Sequence, residues 1–160
     1  MQRIDRILSN EEYQKHLMSN EKAERNRIFC HHDREHFLNV ARIAWILCLE
    51  REIAVPKEEI YAAALLHDIG RHRQYEEGIS HEIASAQIAP GILRECGFTP
   101  EETERIVDVM LSHRDPDCKG EHSFAGVIYE ADKLSRACYA CAAKEACNWP
   151  DSKKNLTLQV

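Results

Sequence analysis

Residues 62–70 read AAALLHDIG and place the adjacent pair His67 and Asp68 at the end of an apolar helix. Apolar residues precede His67 at helical spacing, so its imidazole is expected to face the core with them. Gly70 follows as the expected C-terminal stop of this helix. A carboxylate at the mouth of an apolar helix is costly unless a positive charge meets it. The pair therefore predicts either a metal site or a hydrogen-bonded helix end.

The composition of the chain bounds the classes of protein to which it can belong. Its 160 residues fit one domain with a substantial core, and a net charge of −6 argues against general nucleic-acid binding. No apolar run approaches the ~18 residues that a membrane span needs, and the polar start is not typical of a secretory signal. We therefore expect a cytoplasmic protein. Its seven cysteines are then expected to be thiols, core residues or metal ligands.

Helical periodicity runs through the first half of the chain. Residues 1–30 predict a polar helical extension with a thin apolar stripe. Asp33 is a candidate N-cap of the next helix, because its short carboxylate accepts from the backbone of a first turn. Pro56 then opens the helix that ends at His67 and Asp68. No alternating β-branched run predicts a strand.

The second half of the chain alternates in the same way between loops and helices. Residues 70–79 are polar and predict a loop, and Pro90-Gly91 is expected to interrupt or kink the helix that follows. Residues 99–102 read TPEE and combine an N-cap, a proline and an acid at a helix start. Ser123 opens the last long helix. The sequence thus predicts an all-α single domain with its core at about residues 30–136, a helical N-terminal extension and a cysteine-containing tail.

Five predicted helices each deliver a side chain of metal-ligand type to an apolar face or a helix end. These side chains are His36, His67 with Asp68, His81, His113 and Asp132. Any one of them alone is more typical of a hydrogen-bonded core histidine or a helix cap. All of them together would have to be desolvated and paired, which is costly unless shared cations offset it. The joint pattern therefore predicts one or two bound metal ions.

The order of these residues resembles the HD-domain phosphohydrolase superfamily, whose members share an H…HD…D metal signature on an all-helical fold. The similar segments are HFLNVA from His36, LLHDIG around His67 and Asp68, HEIASA from His81 and EADKLS around Asp132. The additional His81 and His113 resemble the H…HD…H…H…D subset, which often binds two metals. The resemblance covers roughly residues 30–136.

The resemblance implies a role for each candidate ligand. The first metal would be held by His36, His67, Asp68 and Asp132. Asp68 would bridge to a second metal held by His81 and His113. His32 lies one turn before His36 and competes for its role, although the HxxxVA context favours His36. Arg71 after HDIG, a single histidine at position 113 and no GYP motif depart from the cyclic-dinucleotide branch, so cleavage of cyclic dinucleotides is not expected.

The ligand set suits phosphate chemistry. Neutral imidazoles with few carboxylates favour iron or manganese, with zinc, nickel, cobalt and magnesium as alternatives. Water activated by such metals attacks phosphorus without a protein nucleophile. The sequence predicts a metal-dependent phosphohydrolase acting on a nucleotide or another small phosphate ester. Asp68, Arg71 and Lys133 are its candidate catalytic residues, and Arg71 and Lys133 would act by binding phosphate. Arg114 is a further candidate for phosphate binding. Ordinary surface charge explains each of these three cations equally well.

Other interpretations of the same ligand set stay open. The alternatives are a non-catalytic metal- or nucleotide-binding module, a structural helical protein with buried, empty histidines, and a di-metal oxygenase on the same fold. The sequence does not choose the substrate. It also leaves open whether the chain forms a homo-oligomer.

Three cysteines of the tail, Cys138, Cys141 and Cys147, form a C-x2-C-x5-C cluster. If the helix from Ser123 continues to Cys138, its rise places Cys118 over ~20 Å from them and removes it as a fourth metal ligand. We therefore favour a buried helix face shared by Cys138 and Cys141 over a zinc or iron–sulfur site. A bent or broken helix would reopen the metal interpretation.

Overall fold

The computed structural model describes all 160 residues and contains eight α-helices and no strand, which confirms the all-α prediction. The helices are α1 (Gln2–Ser9), α2 (Glu11–Ala23), α3 (Arg34–Glu50), α4 (Lys57–Leu66), α5 (Arg71–Glu77), α6 (His81–Glu95), α7 (Pro100–Ser112) and α8 (Phe124–Leu134). Short 3₁₀ helices cover Pro116–Cys118, Cys138–Ala140 and Asp151–Lys153. None of the helices combines the length and the apolar character that crossing a membrane requires.

Helix α4 lies at the centre of the molecule. All residues of the segment 62–70 are buried, and α4 packs against α1, α3, α7 and α8. The run of alanines favours close packing of these helices, since each alanine contributes only a methyl group to the contact. The HD pair therefore emerges at the middle of the helical assembly, where neighbouring helices can reach it from several sides.

The N-terminal helices contribute to the same core. The buried apolar side chains of α1 and α2 that join the cluster of 28 buried residues are Ile4, Ile7, Tyr13 and Leu17. Arg3 ties α1 to two other helices, with its Nε 2.6 Å from Glu58 Oε2 and its Nη1 2.7 Å from Glu102 Oε2. Helices α1 and α2 thus pack against the core with a polar outer face, whereas residues 24–30, which were also predicted as helical, form no helix.

The structure corrects the role expected of Gly70. Helix α4 ends at Leu66, and Gly70 has a φ of −88°, so it is not a left-handed helix stop. A Cβ at this position would lie 2.6 Å from the backbone N of Ser85 and 2.7 Å from the backbone C of Ala84. Glycine is needed here because the turn after the HD pair touches the backbone of α6.

Two predictions for the middle of the chain are wrong. The segment predicted as a loop, residues 70–79, forms helix α5, because the buried His72 anchors it and Arg73 pairs with Glu77 one turn later at 2.9 Å. The interruption expected at Pro90-Gly91 does not occur, since α6 runs continuously through it, and the alternative of a kink stays a prediction.

The predicted helix starts are confirmed by their hydrogen bonds. Asp33 Oδ1 accepts from the backbone N of His36 at 2.9 Å, and Ser123 Oγ accepts from the backbone N of Gly126 at 3.1 Å. Thr99 and Glu102 form a reciprocal capping box. Such caps use only neighbouring residues, so the sequence alone reveals them.

The tail follows a helix that ends earlier than expected. Helix α8 stops at Leu134, and Asn155 closes this end by donating from Nδ2 to the carbonyl O of Lys133 at 2.7 Å. Cys138 and Cys141 therefore lie on turns outside any α-helix, and both are only half-buried. The buried helix face predicted for them is wrong.

Candidate metal centre

The six predicted ligands converge on the buried turn that carries the HD pair. The side chains come from α3 (His36), the turn after α4 (His67 and Asp68), the start of α6 (His81), the end of α7 (His113) and α8 (Asp132). Two groups of three offer ligand atoms that all lie within 4.8 Å of one another, and His67 belongs to both. One group adds His36 and Asp132, and the other adds Asp68 and His113.

In the first group two imidazoles face one carboxylate. His36 Nε2 lies 3.6 Å from Asp132 Oδ1, and His67 Nε2 lies 3.9 Å from the same oxygen. These separations are too long for hydrogen bonds but leave room for an ion between the three atoms. The group therefore has the spacing of ligands around a shared cation.

In the second group Asp68 is the hub. Its Oδ1 lies 3.1 Å from His81 Nε2 and 3.6 Å from His113 Nε2, and its Oδ2 lies 3.5 Å from His67 Nε2. His81 thus faces the same carboxylate, although it is outside both groups of three. The two oxygens of Asp68 point to different imidazoles, which is the arrangement that a bridging carboxylate requires.

Hydrogen bonds on the far side of the rings fix which nitrogen is free. His67 and His113 each close a helix and donate from Nδ1 to the carbonyl oxygen three residues earlier, at 2.8 Å and 2.5 Å. Ser135 Oγ donates to the carbonyl O of Asp132 at 2.7 Å and accepts from His36 Nδ1 at 3.2 Å. With the proton on Nδ1, each Nε2 presents a lone pair to the centre.

Three of these inward atoms are buried without any hydrogen-bond partner. They are His36 Nε2, His67 Nε2 and Asp68 Oδ1. A buried polar atom without a partner lowers the stability of the fold by about 1–3 kcal/mol. Three such atoms in one place therefore indicate a common binding partner. Since all three are acceptors, that partner must be positive. The residues present therefore fit a divalent cation.

Most of the protonation states suit metal binding at neutral pH. His67 differs, because Asp68 and Asp132 outweigh burial and raise its pKa, so a bound metal must displace its proton. Burial raises the pKa of Asp68 and of Asp132, but the surrounding histidines, and at Asp132 also Arg136 and Lys133, hold both pKa values well below the usual range. Burial lowers the pKa of His36 and of His81 to about 4. Ionised carboxylates beside neutral imidazoles are the forms that bind a metal.

His32 joins the centre as well, and does so in addition to His36. Its Nδ1 lies 2.6 Å from Glu24 Oε1, which also accepts from the hydroxyl of Tyr75 at 2.7 Å. These bonds outweigh burial and lower the pKa of Glu24 to about 2. His32 Nε2 then faces Asp68 Oδ2 at 3.5 Å. The sequence presented the two histidines as competitors, and the structure brings both to the centre.

Asn20 positions the HD turn and had no sequence signal. Its Nδ2 donates to the carbonyl O of Asp68 at 2.9 Å, and its Oδ1 accepts from the backbone N of His72 at 2.7 Å. Asn20 is fully buried in α2. An asparagine in a polar helix is ordinary, so only the tertiary structure identifies this clamp.

The candidate cations lie at different distances from the centre. Arg71 Nη1 lies 2.6 Å from His81 Nδ1, and Lys133 Nζ lies 3.2 Å from Asp132 Oδ2. Arg114 points away, since its side chain is 57% exposed and approaches only Glu82, at 3.7 Å. Arg71 and Lys133 thus adjoin the ligands, and Arg114 does not.

Arg136 is a cation that the sequence analysis missed. Its Nη2 lies 3.6 Å from Asp132 Oδ2, and its Nη1 is buried without a hydrogen-bond partner. It lines a cavity of about 280 Å³ that also reaches His36. Other residues of the cavity wall include Phe29, Cys30, His31, Asn39, Cys138, Cys141 and the acidic residues Asp33 and Glu35. Arg136 therefore places a positive charge in the wall of the cavity that His36 also lines.

Comparisons with known proteins identify the domain family that the chain resembles. A profile of the HD domain matches residues 34–137. The chain is 46% identical over 158 residues to an uncharacterized protein of Clostridium beijerinckii, and this match covers 99% of both chains. It is 30% identical over 102 residues to ribonuclease Y of Lawsonia intracellularis, which is 64% of this chain but only 18% of that protein. No solved structure gives a significant match.

Proposed function

Because the chain belongs to the HD domain family, a superfamily of metal-dependent phosphohydrolases, we propose that it hydrolyses a nucleotide or another small phosphate ester. The observation that carries this proposal is the pair of His/Asp groups that share His67, with three inward acceptor atoms buried and unpaired. Acceptors without donors have a physical explanation when a cation binds between them.

The chain would hold one or two divalent ions, with iron or manganese favoured by the imidazole and carboxylate ligands. His36, His67 and Asp132 would bind one ion, and Asp68 with His113 and His81 the other. His32 is a further ligand candidate of the second ion. A divalent cation at this centre supplies Lewis acidity, which stabilises charge developing on a phosphoryl group and lowers the pKa of water.

Two cations beside Asp132 would bind the phosphate, whereas Arg71 would have a positioning role instead of the phosphate-binding role predicted from the sequence. Arg136 lines the cavity, and a guanidinium matches the oxygens of a phosphate in a bidentate way. Lys133 supplies a second positive charge near the same oxygen of Asp132, Oδ2. Arg71 is held against His81 and Tyr75, so its role is to orient the ligand and to balance the charge of Asp68.

The size of the cavity supports a small substrate. Its volume of about 280 Å³ lies just below the range of roughly 300–1,000 Å³ that is typical of small-molecule sites. Phe29 offers an aromatic face, and the amide of Asn39 offers a donor and an acceptor. Both are suited to a nucleobase beside the phosphate. The negative net charge of the chain weighs against a long polynucleotide.

A substrate panel tests the proposal. Wild-type protein loaded with Mn²⁺ or Fe²⁺ is offered nucleoside mono-, di- and triphosphates, dinucleoside polyphosphates, generic phosphodiesters and short RNA. We expect metal-dependent phosphate release from a small ester, lowered more than about 100-fold in Asp68→Asn. Asp108→Asn, an exposed change on α7, is the matched control and should keep full activity.

The same panel separates the alternatives. A protein that binds metal and nucleotide but releases no phosphate would be a binding module, and this outcome contradicts the proposal. Dioxygen uptake by the iron-loaded protein, without phosphate release, would indicate an oxygenase and contradict it as well. Equal activity in wild type and Asp68→Asn would place the chemistry elsewhere in the molecule.

A further inference from the structure

Four of the seven cysteines meet at one place, although they come from two distant segments. Cys30 lies between α2 and α3, and Cys138, Cys141 and Cys147 follow α8. All four line one small cavity of about 20 Å³, together with Phe29, Lys144 and Lys154. The other three cysteines are buried elsewhere, so the four thiols form a distinct cluster.

Short backbone turns present the three thiols of the tail. The backbone N of Cys141 donates to the carbonyl O of Cys138 at 3.3 Å, and the backbone N of Cys147 donates to the carbonyl O of Lys144 at 3.3 Å. Arg27 Nε donates to the carbonyl O of Cys30 at 2.8 Å on the opposite side. Each segment therefore has its own backbone support, and the thiols lie between the two.

The tail has little else to hold it in place. No residue after Asp132 is buried, and the segment contains only 3₁₀ turns. Ordering a residue costs about 1–2 kcal/mol of backbone entropy, which a segment without a core cannot repay by apolar burial. Small units of this kind usually use a disulfide or a structural metal. The stacking of Arg136 on Trp149, 4.1 Å from the ring, and the amide of Asn155 are modest by comparison.

Two lysines of the tail lie beside the four thiols. Lys144 and Lys154 line the same cavity and would balance the negative charge that remains on a tetrathiolate site.

We propose that Cys30, Cys138, Cys141 and Cys147 bind a metal–thiolate centre that fastens residues 138–147 to the connection between α2 and α3. Four sulfur ligands select zinc or an iron–sulfur cluster and disfavour manganese and magnesium. Binding releases the thiol protons to solvent. The four sulfur atoms are more widely spaced than the ligand atoms of the His/Asp groups. Zinc binding would therefore require the two segments to move closer together, whereas the larger iron–sulfur cluster would require less movement.

This centre would also shape the cavity beside His36. Cys30, Cys138 and Cys141 belong to the wall of that cavity as well as to the thiol cluster. Arg136 lies only two residues before Cys138. Fastening the tail would therefore fix the position of the guanidinium that we assign to phosphate, although the metal–thiolate proposal does not depend on that assignment.

Metal and sulfide analysis of the full chain tests the proposal. Beyond the one or two ions of the His/Asp centre, we expect either one zinc per chain without sulfide or, after anaerobic purification, about four iron and four sulfide with visible absorption. Cys30→Ser and Cys141→Ser should each lose this metal. Cys118→Ala, which changes a buried cysteine outside the cluster, and His67→Ala should keep it.

A second measurement guards against variants that fail to fold. A reagent that modifies thiols should release the metal from wild type. The helical circular dichroism should be preserved, and proteolysis within residues 135–160 should become faster. Metal content unchanged in both serine variants would overturn the proposal. So would a metal-free protein, or one in which mass spectrometry finds these cysteines paired as disulfides.

Discussion

Replacing Gly70 by alanine tests the close packing that positions the HD turn. The new Cβ would lie 2.6 Å from the backbone N of Ser85 and 2.8 Å from Ala84 Cβ. These neighbours are backbone or attached to it, so they cannot move aside as a flexible side chain would. The turn and α6 must then separate, and this weakens the bond from the backbone N of Gly70 to Ser85 Oγ at 2.9 Å.

The structure sets the size of this effect. Overpacking costs about 1–3 kcal/mol, and losing a buried hydrogen bond adds about 1 kcal/mol. Gly70→Ala should therefore lower the free energy of unfolding by about 2–4 kcal/mol. With a urea m-value of about 2 kcal/mol/M, the unfolding midpoint falls by about 1–2 M. Because Asp68 and His81 flank this contact, affinity for Mn²⁺ should fall as well.

Gly91→Ala is the matched control and lies in α6, the helix that Gly70 touches. Nothing lies within 4 Å of a Cβ at Gly91, so alanine should stabilise the protein by about 0.5–1 kcal/mol through a less flexible unfolded chain. The assay is urea unfolding followed by circular dichroism and tryptophan fluorescence. A midpoint for Gly70→Ala within about 0.3 M of wild type, or equal losses in both variants, would refute the packing argument.

Three further changes test separate parts of the structure. Tyr13 is buried with its hydroxyl unpaired, so Tyr13→Phe should raise stability by about 1 kcal/mol. Burial raises the pKa of Tyr13, so above pH 10 the tyrosine ionises first in the unfolded state. The free energy of unfolding of wild type should therefore fall by up to about 1.4 kcal/mol per pH unit above pH 10. Tyr13→Phe should lack this fall when urea unfolding is measured at pH 9–11. Asn20→Ala should cost about 2 kcal/mol and weaken Mn²⁺ binding, read by unfolding and dialysis, because the carbonyl of Asp68 loses its donor. Arg136→Ala should lower kcat/KM for the phosphate ester about 100-fold with unchanged Mn²⁺ binding; an equal loss of metal would assign it to the metal centre instead.

Local chemistry made much of the fold predictable. Helix starts at Asp33, Thr99 and Ser123 depend on side chains that bond their own first turn, so neighbouring residues suffice to find them. Helix α5 was missed because its anchor, the backbone of His72, bonds to Asn20 in a distant helix. Gly70 was assigned the wrong role because the backbone that it touches belongs to α6.

The candidate site divides in the same way. His67 and His113 end their helices with the same bond from Nδ1 to a preceding carbonyl, and the apolar spacing before each histidine made both visible in the sequence. Arg136 and Cys30 carry no such pattern. Cys30 meets cysteines that lie more than a hundred residues away in the sequence, and Arg136 lines a cavity with the similarly distant His36. Only the folded chain brings these residues together.

Manganese binding at the His/Asp centre tests the central claim most directly. Mn²⁺ prefers imidazole and carboxylate to thiolate, so equilibrium dialysis with it reports on this centre and not on the cysteines. We predict one or two Mn²⁺ per wild-type chain, reduced binding in Asp132→Asn and Asp68→Asn, and the largest loss in His67→Ala, because His67 belongs to both groups. Binding that is absent from wild type, or equal in all four proteins, would contradict the account.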